Sequence, residues 1–178
     1  MTVDDLLDLC RSFERSAFRL ETLDRYSVSE EDEDNQRWSR GEAPPPIDGH
    51  PWFDGVIRAG TSAGKRWERT HVLRLPLTDY LRFELEYEYA RLEQAGDHCH
   101  ILEVPDGYPL PVPAVDFWLF DDTLAVRMDY DSDGRLLACE QITDAATVGE
   151  FLRTRDTALS LAIPFPTWLT EAEEAGRL

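Results

Sequence analysis

Seven residues in the middle of the chain could do chemistry together: Arg58, Lys65, Arg66, Arg69, Arg74 and Arg82, with His71 among them. Guanidinium forks match carboxylate and phosphate oxygens, so Arg69, His71 and Arg82 on neighbouring elements would form a pocket for an anionic ligand. The alternative is that Glu68, Asp79, Glu84 and their neighbours pair with these cations on a solvated face, where such pairs do little. A carboxylate series follows at Glu84, Glu86 and Glu88. On a helix Glu84 and Glu88 share one face, and Arg82 and Glu86 share another. Two such carboxyls divide general acid and base roles only if burial separates their pKa values; otherwise the series is the wet side of an amphipathic element.

His98-Cys99-His100 is a poor chelator if it lies on a strand, because the two histidines then share a face and Cys99 points away. No second ligand pair with zinc-like spacing accompanies it, so neither a metal nor another cofactor is expected. Asp116, Asp121 and Asp122 flank Trp118. Loop-end aspartates suit a cation, but Asp121 and Asp122 are also good turn formers. Trp118 and Phe120 would lie opposite Phe117 and Leu119 on a strand, exposed to a ligand or partner if helices cover only one face. The chain carries no GxSxG, Walker or GxGxxG arrangement, and no catalytic residue is assigned. The ligand- or partner-binding candidates are therefore Arg66, Arg69, His71, Arg82, Glu84, Asp116 and Trp118.

The elements that must position these residues are legible to different degrees. Thr2 as N-cap, early Asp4 and Asp5, and Leu6, Cys10, Phe13 and Ala17 at helical spacing predict a first helix from about Val3 to about Ser16. Residues 17–23 continue it or turn into a short extended segment. Ser29-Glu-Glu-Asp32 resembles a capping box opening a short helix that ends before Gly41. Pro44, Pro45 and Pro46 then enforce a surface loop near residues 42–51. Another helix is expected from Trp52, stopping around Gly60 to Gly64, followed by a strand from Trp67 to Leu75. Residues 78–95 are ambiguous: Leu81 to Tyr89 alternates apolar and charged like a strand, yet Thr78, Asp79 and Gly96 look like helix ends. Helix is the preferred reading, and it demands burial on both sides.

The second half reads as strands at His98–Val104, Asp116–Phe120, Leu124–Tyr130 and Arg135–Ile142. Tight turns lie at Asp121-Asp122 and at Asp131-Ser-Asp-Gly134. A helix runs from beyond Asp144 to before Pro164, and an acidic C-terminal tail occupies residues 167–178. The expectation is a single α+β domain over residues 1–178, an antiparallel β-meander with helices packed on one face.

Composition narrows the partners. With 178 residues, 42% of them hydrophobic, the chain can bury a core unaided. Its 36 acidic against 18 basic residues give a formal net charge of -18, which repels nucleic-acid phosphates and anionic membranes. Such a surface favours a basic partner protein. Three scattered cysteines, an N-terminus without a leader pattern and no spanning apolar run point to the cytoplasm.

The stretches SAFRLETLDRYSV, GKRWERTHVLRLPLTDYLRFELEYEY and DFWLFDDTLAVRMDYDSDGRL resemble a family of uncharacterised actinobacterial proteins often encoded near small helix-turn-helix regulators. That resemblance implies a regulatory neighbourhood and supplies no catalytic role. The expected function is thus a non-catalytic regulatory or partner-binding protein, its partner for example a DNA-binding regulator. The alternative is a small-molecule-binding domain or enzyme with an Arg/Glu-lined pocket. Convergence of Arg69, Arg82, Glu84 and Trp118 on one cavity would favour the alternative.

Overall fold

The computed structural model describes residues 1–28, 31–43 and 53–178. The expected capping box at Ser29 and most of the proline loop lie outside these residues. Among the described residues no helix is long and apolar enough to cross a membrane.

Helix α1 (Val3–Ser12) starts at a true capping box: Thr2 Oγ1 accepts from the Asp5 amide at 3.1 Å, and Asp5 Oδ2 accepts from the Thr2 amide at 2.8 Å. The helix stops four residues short of the expected Ser16. Phe13 instead turns inward, its ring meeting Trp67 edge-on at 4.7 Å. The chain then enters strand β1 (Ser16–Glu21), whose residues 17–21 are all buried.

Helices α2 (Asp32–Ser39) and α3 (Phe53–Ser62) precede β2 (Arg66–Arg74). Next come α4 (Asp79–Phe83), a π-helical turn (Glu84–Tyr89) and α5 (Ala90–Ala95), one uninterrupted helical run leading to β3 (Asp97–Val104). Thr78 caps its start, and Gly96, at φ 103°, ends it in the left-handed conformation that glycine adopts freely. The strand-like alternation is therefore helical, and burial on both sides is met. Leu81, Leu85 and Tyr89 enter the main core, while Phe83 and Tyr87 pack toward Trp38 of α2. A widened turn of this kind re-aims side chains within a continuous helix.

Strands β4 (Asp116–Phe120), β5 (Leu124–Tyr130) and β6 (Leu136–Ile142) are followed by α6 (Ala145–Leu161), the two-residue β7 (Ile163–Pro164) and α7 (Phe165–Glu174). The seven strands of the described residues form one sheet in the order β6-β5-β4-β1-β2-β3-β7. Most pairings are antiparallel, but β1 runs parallel to β2, and β2 to β3. This mixed sheet corrects the expected meander, which describes only consecutive β4, β5 and β6. Parallel neighbours need a long crossover, and the helical segments between β1 and β2 and between β2 and β3 supply it.

Helices also cover both faces, not one. Trp118 and Phe120 join the core beneath α1, α3, the α4–α5 run and α7, whereas Phe117 and Leu119 join a second core against α6. The whole of β4 is buried, as a strand covered on both sides must be. Most of the expected acidic tail is α7, which buries Phe165, Trp168 and Ala172 and leaves its glutamates outside. The short β7 that precedes it pairs with β3.

Candidate functional site

Strand alternation builds the site. Arg19 and Glu21 of β1 point to the same side of the sheet, as do Arg69 and His71 of β2. The parallel register sets Arg19 beside Arg69 and Glu21 beside His71, while Trp118 of β4 stands across from Arg19. Two buried guanidiniums side by side would repel, but Glu21 lies between them. Its Oε1 is 3.4 Å from Arg19 Nε, and its Oε2 is 3.1 Å from Arg69 Nη1. Burial pushes the Glu21 carboxyl up, yet Arg69 and Arg19 outweigh that and hold it down at about 2.

Each arginine has a second acid. Arg19 Nη2 donates to Asp116 Oδ2 at 3.0 Å, and Arg69 Nε donates to Asp97 Oδ2 at 2.7 Å. Asp116 is fully engaged: it also accepts from the Tyr26 hydroxyl at 2.5 Å and from the Thr22 amide and hydroxyl at 2.9 and 2.7 Å. Arg69 additionally lies over the Tyr89 ring, 5.7 Å from its centroid.

His71 is wholly buried. Its Nε2 lies 3.0 Å from the Leu23 carbonyl and so carries the proton, because a carbonyl only accepts. Nδ1 faces the Tyr89 hydroxyl at 3.0 Å and Glu84 Oε2 at 3.5 Å. Glu84, placed by the π-helical turn, is 6% exposed, and its Oε2 has no hydrogen-bond partner among the described residues. Burial pushes the Glu84 carboxyl well up, and repulsion from Glu21 and Glu31 adds to it. Glu31 accepts from the Tyr80 hydroxyl at 3.0 Å and is itself raised to about 8, chiefly by burial and then by Glu88.

These groups surround a cavity of about 300 Å³. The sheet contributes Arg19, Glu21, Arg69, Trp118, Met128 and Tyr130 to the lining, and Glu31 with Tyr80 and Glu84 of the helical run completes this part of it. At the rim, Arg91 of α5 ties three acids together, Asp34 at 3.2 Å, Asp54 at 3.3 Å and Glu88 at 3.0 Å, and so joins α2, α3 and the helical run.

Of the residues singled out from the sequence, Arg69, Glu84 and Trp118 line the cavity, and His71 and Asp116 stand directly behind it. Arg82 and Arg66 do not belong to it. Arg82 lies outside the lining, and Arg66, at the opposite end of β2, pairs with Glu68 at 2.6 Å. Lys65 sits over the Phe13 ring, and Arg74 donates to the Tyr108 carbonyl. His98 is exposed, His100 half-buried, and Cys99 buried on the other face. Asp121 accepts the backbone amides of Glu14, Arg15 and Ser16 at 2.8, 2.6 and 3.0 Å, so its role is to hold the α1–β1 connection. Among the described residues no group of three or more His, Cys, Asp or Glu is arranged to hold a metal ion.

Sequence reasoning missed Arg19, Glu21, Tyr26, Glu31 and Tyr80. A signal was there: Arg19-x-Glu21 and Arg69-x-His71 each place ionisable residues two apart on a strand, which sets both on one face, and that face is buried.

Solved structures similar to this chain include a phospholipase D family member, Nuc from Salmonella typhimurium. It shares 8% identity at a TM-score of 0.55, with 90% of this chain and 88% of that chain covered. The archaeal chromatin protein TrmBL2 also matches, at 8% identity and a TM-score of 0.48, with 89% of this chain and 48% of that one covered. At these identities the likeness concerns the fold alone. No curated protein matches the chain. A family model does, over residues 4–170, and the chain belongs to that family, DUF6879, a domain of unknown function.

Proposed function

We propose that this chain is a small-molecule-binding domain whose site is the cavity between β1, β2, β4, β5 and the α4–α5 run. The observation that carries this reading is the meeting of Arg69, Glu84 and Trp118, drawn from two strands and a helix, on one cavity of about 300 Å³. A mostly preformed hollow with aromatic walls and a few convergent polar groups is the usual form of a ligand site, and this one is at the small end of the range. Strongly shifted carboxyls in the same hollow strengthen it. The test is thermal melting of the protein with a set of small molecules of both charges, beside the variant Val28→Trp. Val28 is 40% exposed and lines the cavity, so an indole there obstructs the mouth without entering the core. A stabilising ligand whose effect is lost in the variant supports the reading. No stabilisation by any member of the set counts against it.

The net charge of -18 favours a second reading, a regulatory protein that meets a basic protein partner such as a DNA-binding regulator. Affinity capture at physiological salt tests it, and recovery of no reproducible basic partner removes its support.

A further inference from the structure

We propose that the cavity receives an organic cation, an amine or guanidinium group on a slender body, seated against the Glu84 carboxyl beside the Tyr80–Glu31 pair. This deepens the ligand-binding reading and rests on it.

The arginines of the lining point away from an anionic ligand as the occupant. Arg19 is already held by Glu21 and Asp116, Arg69 by Glu21 and Asp97, and Arg91 by Asp34, Asp54 and Glu88. An incoming carboxylate or phosphate would have to displace buried acids from these pairs. The acids, by contrast, are in excess: among the described residues three arginines line the cavity against five acids, namely Glu21, Asp54, Glu31, Glu84 and Glu88.

Glu84 Oε2 is the specific acceptor. It is buried in the wall and, among the described residues, accepts no hydrogen bond. Leaving a buried carboxyl oxygen without a donor costs free energy that a ligand N–H would recover. The groups facing Glu84 are Glu21 from β1, Arg69 and His71 from β2, Glu31 from the segment before α2, and Tyr80 and Glu88 from its own helical run. Three of these are acids, so a positive charge placed among them is favoured by more than one partner. Tyr26, Tyr80, Trp118 and Tyr130 contribute aromatic surface, which attracts cations through the negative ring face. Burial and like-charge repulsion push the Glu84 and Glu31 carboxyls up, and a cation seated beside them works the other way. Binding therefore favours release of protons from these carboxyls.

The experiment is calorimetric titration of the full chain at neutral pH with agmatine and spermidine. Inorganic phosphate and succinate serve as anionic probes, and a short Arg/Lys peptide as a protein-borne cation. The titrations are run in two buffers of different ionisation enthalpy. The expected result is saturable binding of a cationic probe, no binding of phosphate or succinate, and a buffer-dependent heat that reports proton release. Glu84→Gln lowers the affinity by about tenfold or more while melting stays cooperative. Should that variant fail to fold, Glu31→Gln carries the same expectation. Binding of the free amines identifies a small molecule as the source of the cation, and binding of the peptide alone identifies a protein side chain. Phosphate or succinate binding that Val28→Trp abolishes, with the amines silent, would overturn the cation and leave the ligand-binding reading standing. Silence of every probe, with Val28→Trp and wild type alike, would remove both.

Discussion

Glu84 Oε2 lies 3.5 Å from His71 Nδ1 and accepts no hydrogen bond from the described residues, although both side chains are buried. The two residues come from a π-helical turn and from the parallel strand beside it, so neither local structure explains the contact. Four further polar groups extend it: Tyr89 bridges His71 to Glu21, and Glu21 bridges Arg19 and Arg69. The result is a charged network beside an aromatic-lined cavity.

Stability should fall as pH rises through neutrality. Glu31 titrates near 8 in the folded protein, against 4.5 unfolded. Between those values the folded state holds a proton that the unfolded chain has lost, so ionisation favours unfolding until pH passes about 8. Glu84 acts in the same direction. Glu21 works oppositely: its stabilisation is complete above the unfolded value of 4.5 and is lost as pH falls toward about 2. Urea midpoints measured across this range should peak on the acid side of neutrality, and Glu31→Gln should flatten the alkaline limb.

The ion pairs differ in weight by burial. Arg69→Ala strands Asp97 in the interior, takes from Glu21 one of its two arginines and should cost about 3–5 kcal/mol. Arg66→Ala removes a pair whose arginine side chain is 62% exposed but whose Glu68 is 10% exposed, and should cost less, about 1–3 kcal/mol. Denaturant unfolding of the two variants, a few residues apart on one strand, measures the contrast directly.

At the β4–β5 turn the prediction separates two adjacent aspartates. Both have positive φ, 55° and 62°. Asp121→Ala deprives three backbone amides of their acceptor and should destabilise by about 1–3 kcal/mol or more. Asp122→Ala loses only a pair with Arg155 that is half open to solvent, worth about 0–1 kcal/mol. Equal losses in the two variants would contradict the assignment of Asp121 as the fastener of the α1–β1 connection.

Gly134 should tolerate no side chain. Its φ is 78°, and a Cβ there would come within 2.4 Å of the Arg25 carbonyl oxygen. Gly134→Ala is expected to destabilise by more than about 1 kcal/mol, since it adds a collision to the left-handed strain. A melt at unchanged temperature would show that residues 25–27 can shift away.

Much of the C-terminal half could be read from the chain, because its signals are local. The turn at Gly134, the cap at Asp144 and the stop before Pro164 fix β5, β6 and α6 from adjacent residues alone. The parallel pairing of β1 with β2 has no such local mark: its partners are 50 residues apart, joined through two helices. Arg19 and Glu21 further disguised β1, since charged residues rarely lie on a fully buried strand. The site inherited that blindness. Arg69, His71, Glu84, Asp116 and Trp118 were recognisable as unusual, but Arg19, Glu21 and Glu31 join them only once the strands are paired. Arg66 and Arg82 were grouped with them by nearness in sequence, which the strand direction and the helical turn undo.

The ligand-binding proposal places the ligand in the cavity and not on the acidic surface in general. Calorimetric titration of wild type and Val28→Trp with agmatine at about 0.15 M salt, where exposed charges are largely screened, separates the two. Saturable one-to-one binding to the wild type, lost in the variant while its fold is kept, is expected. Equal binding to both proteins would place the cation on the open surface and contradict the proposal.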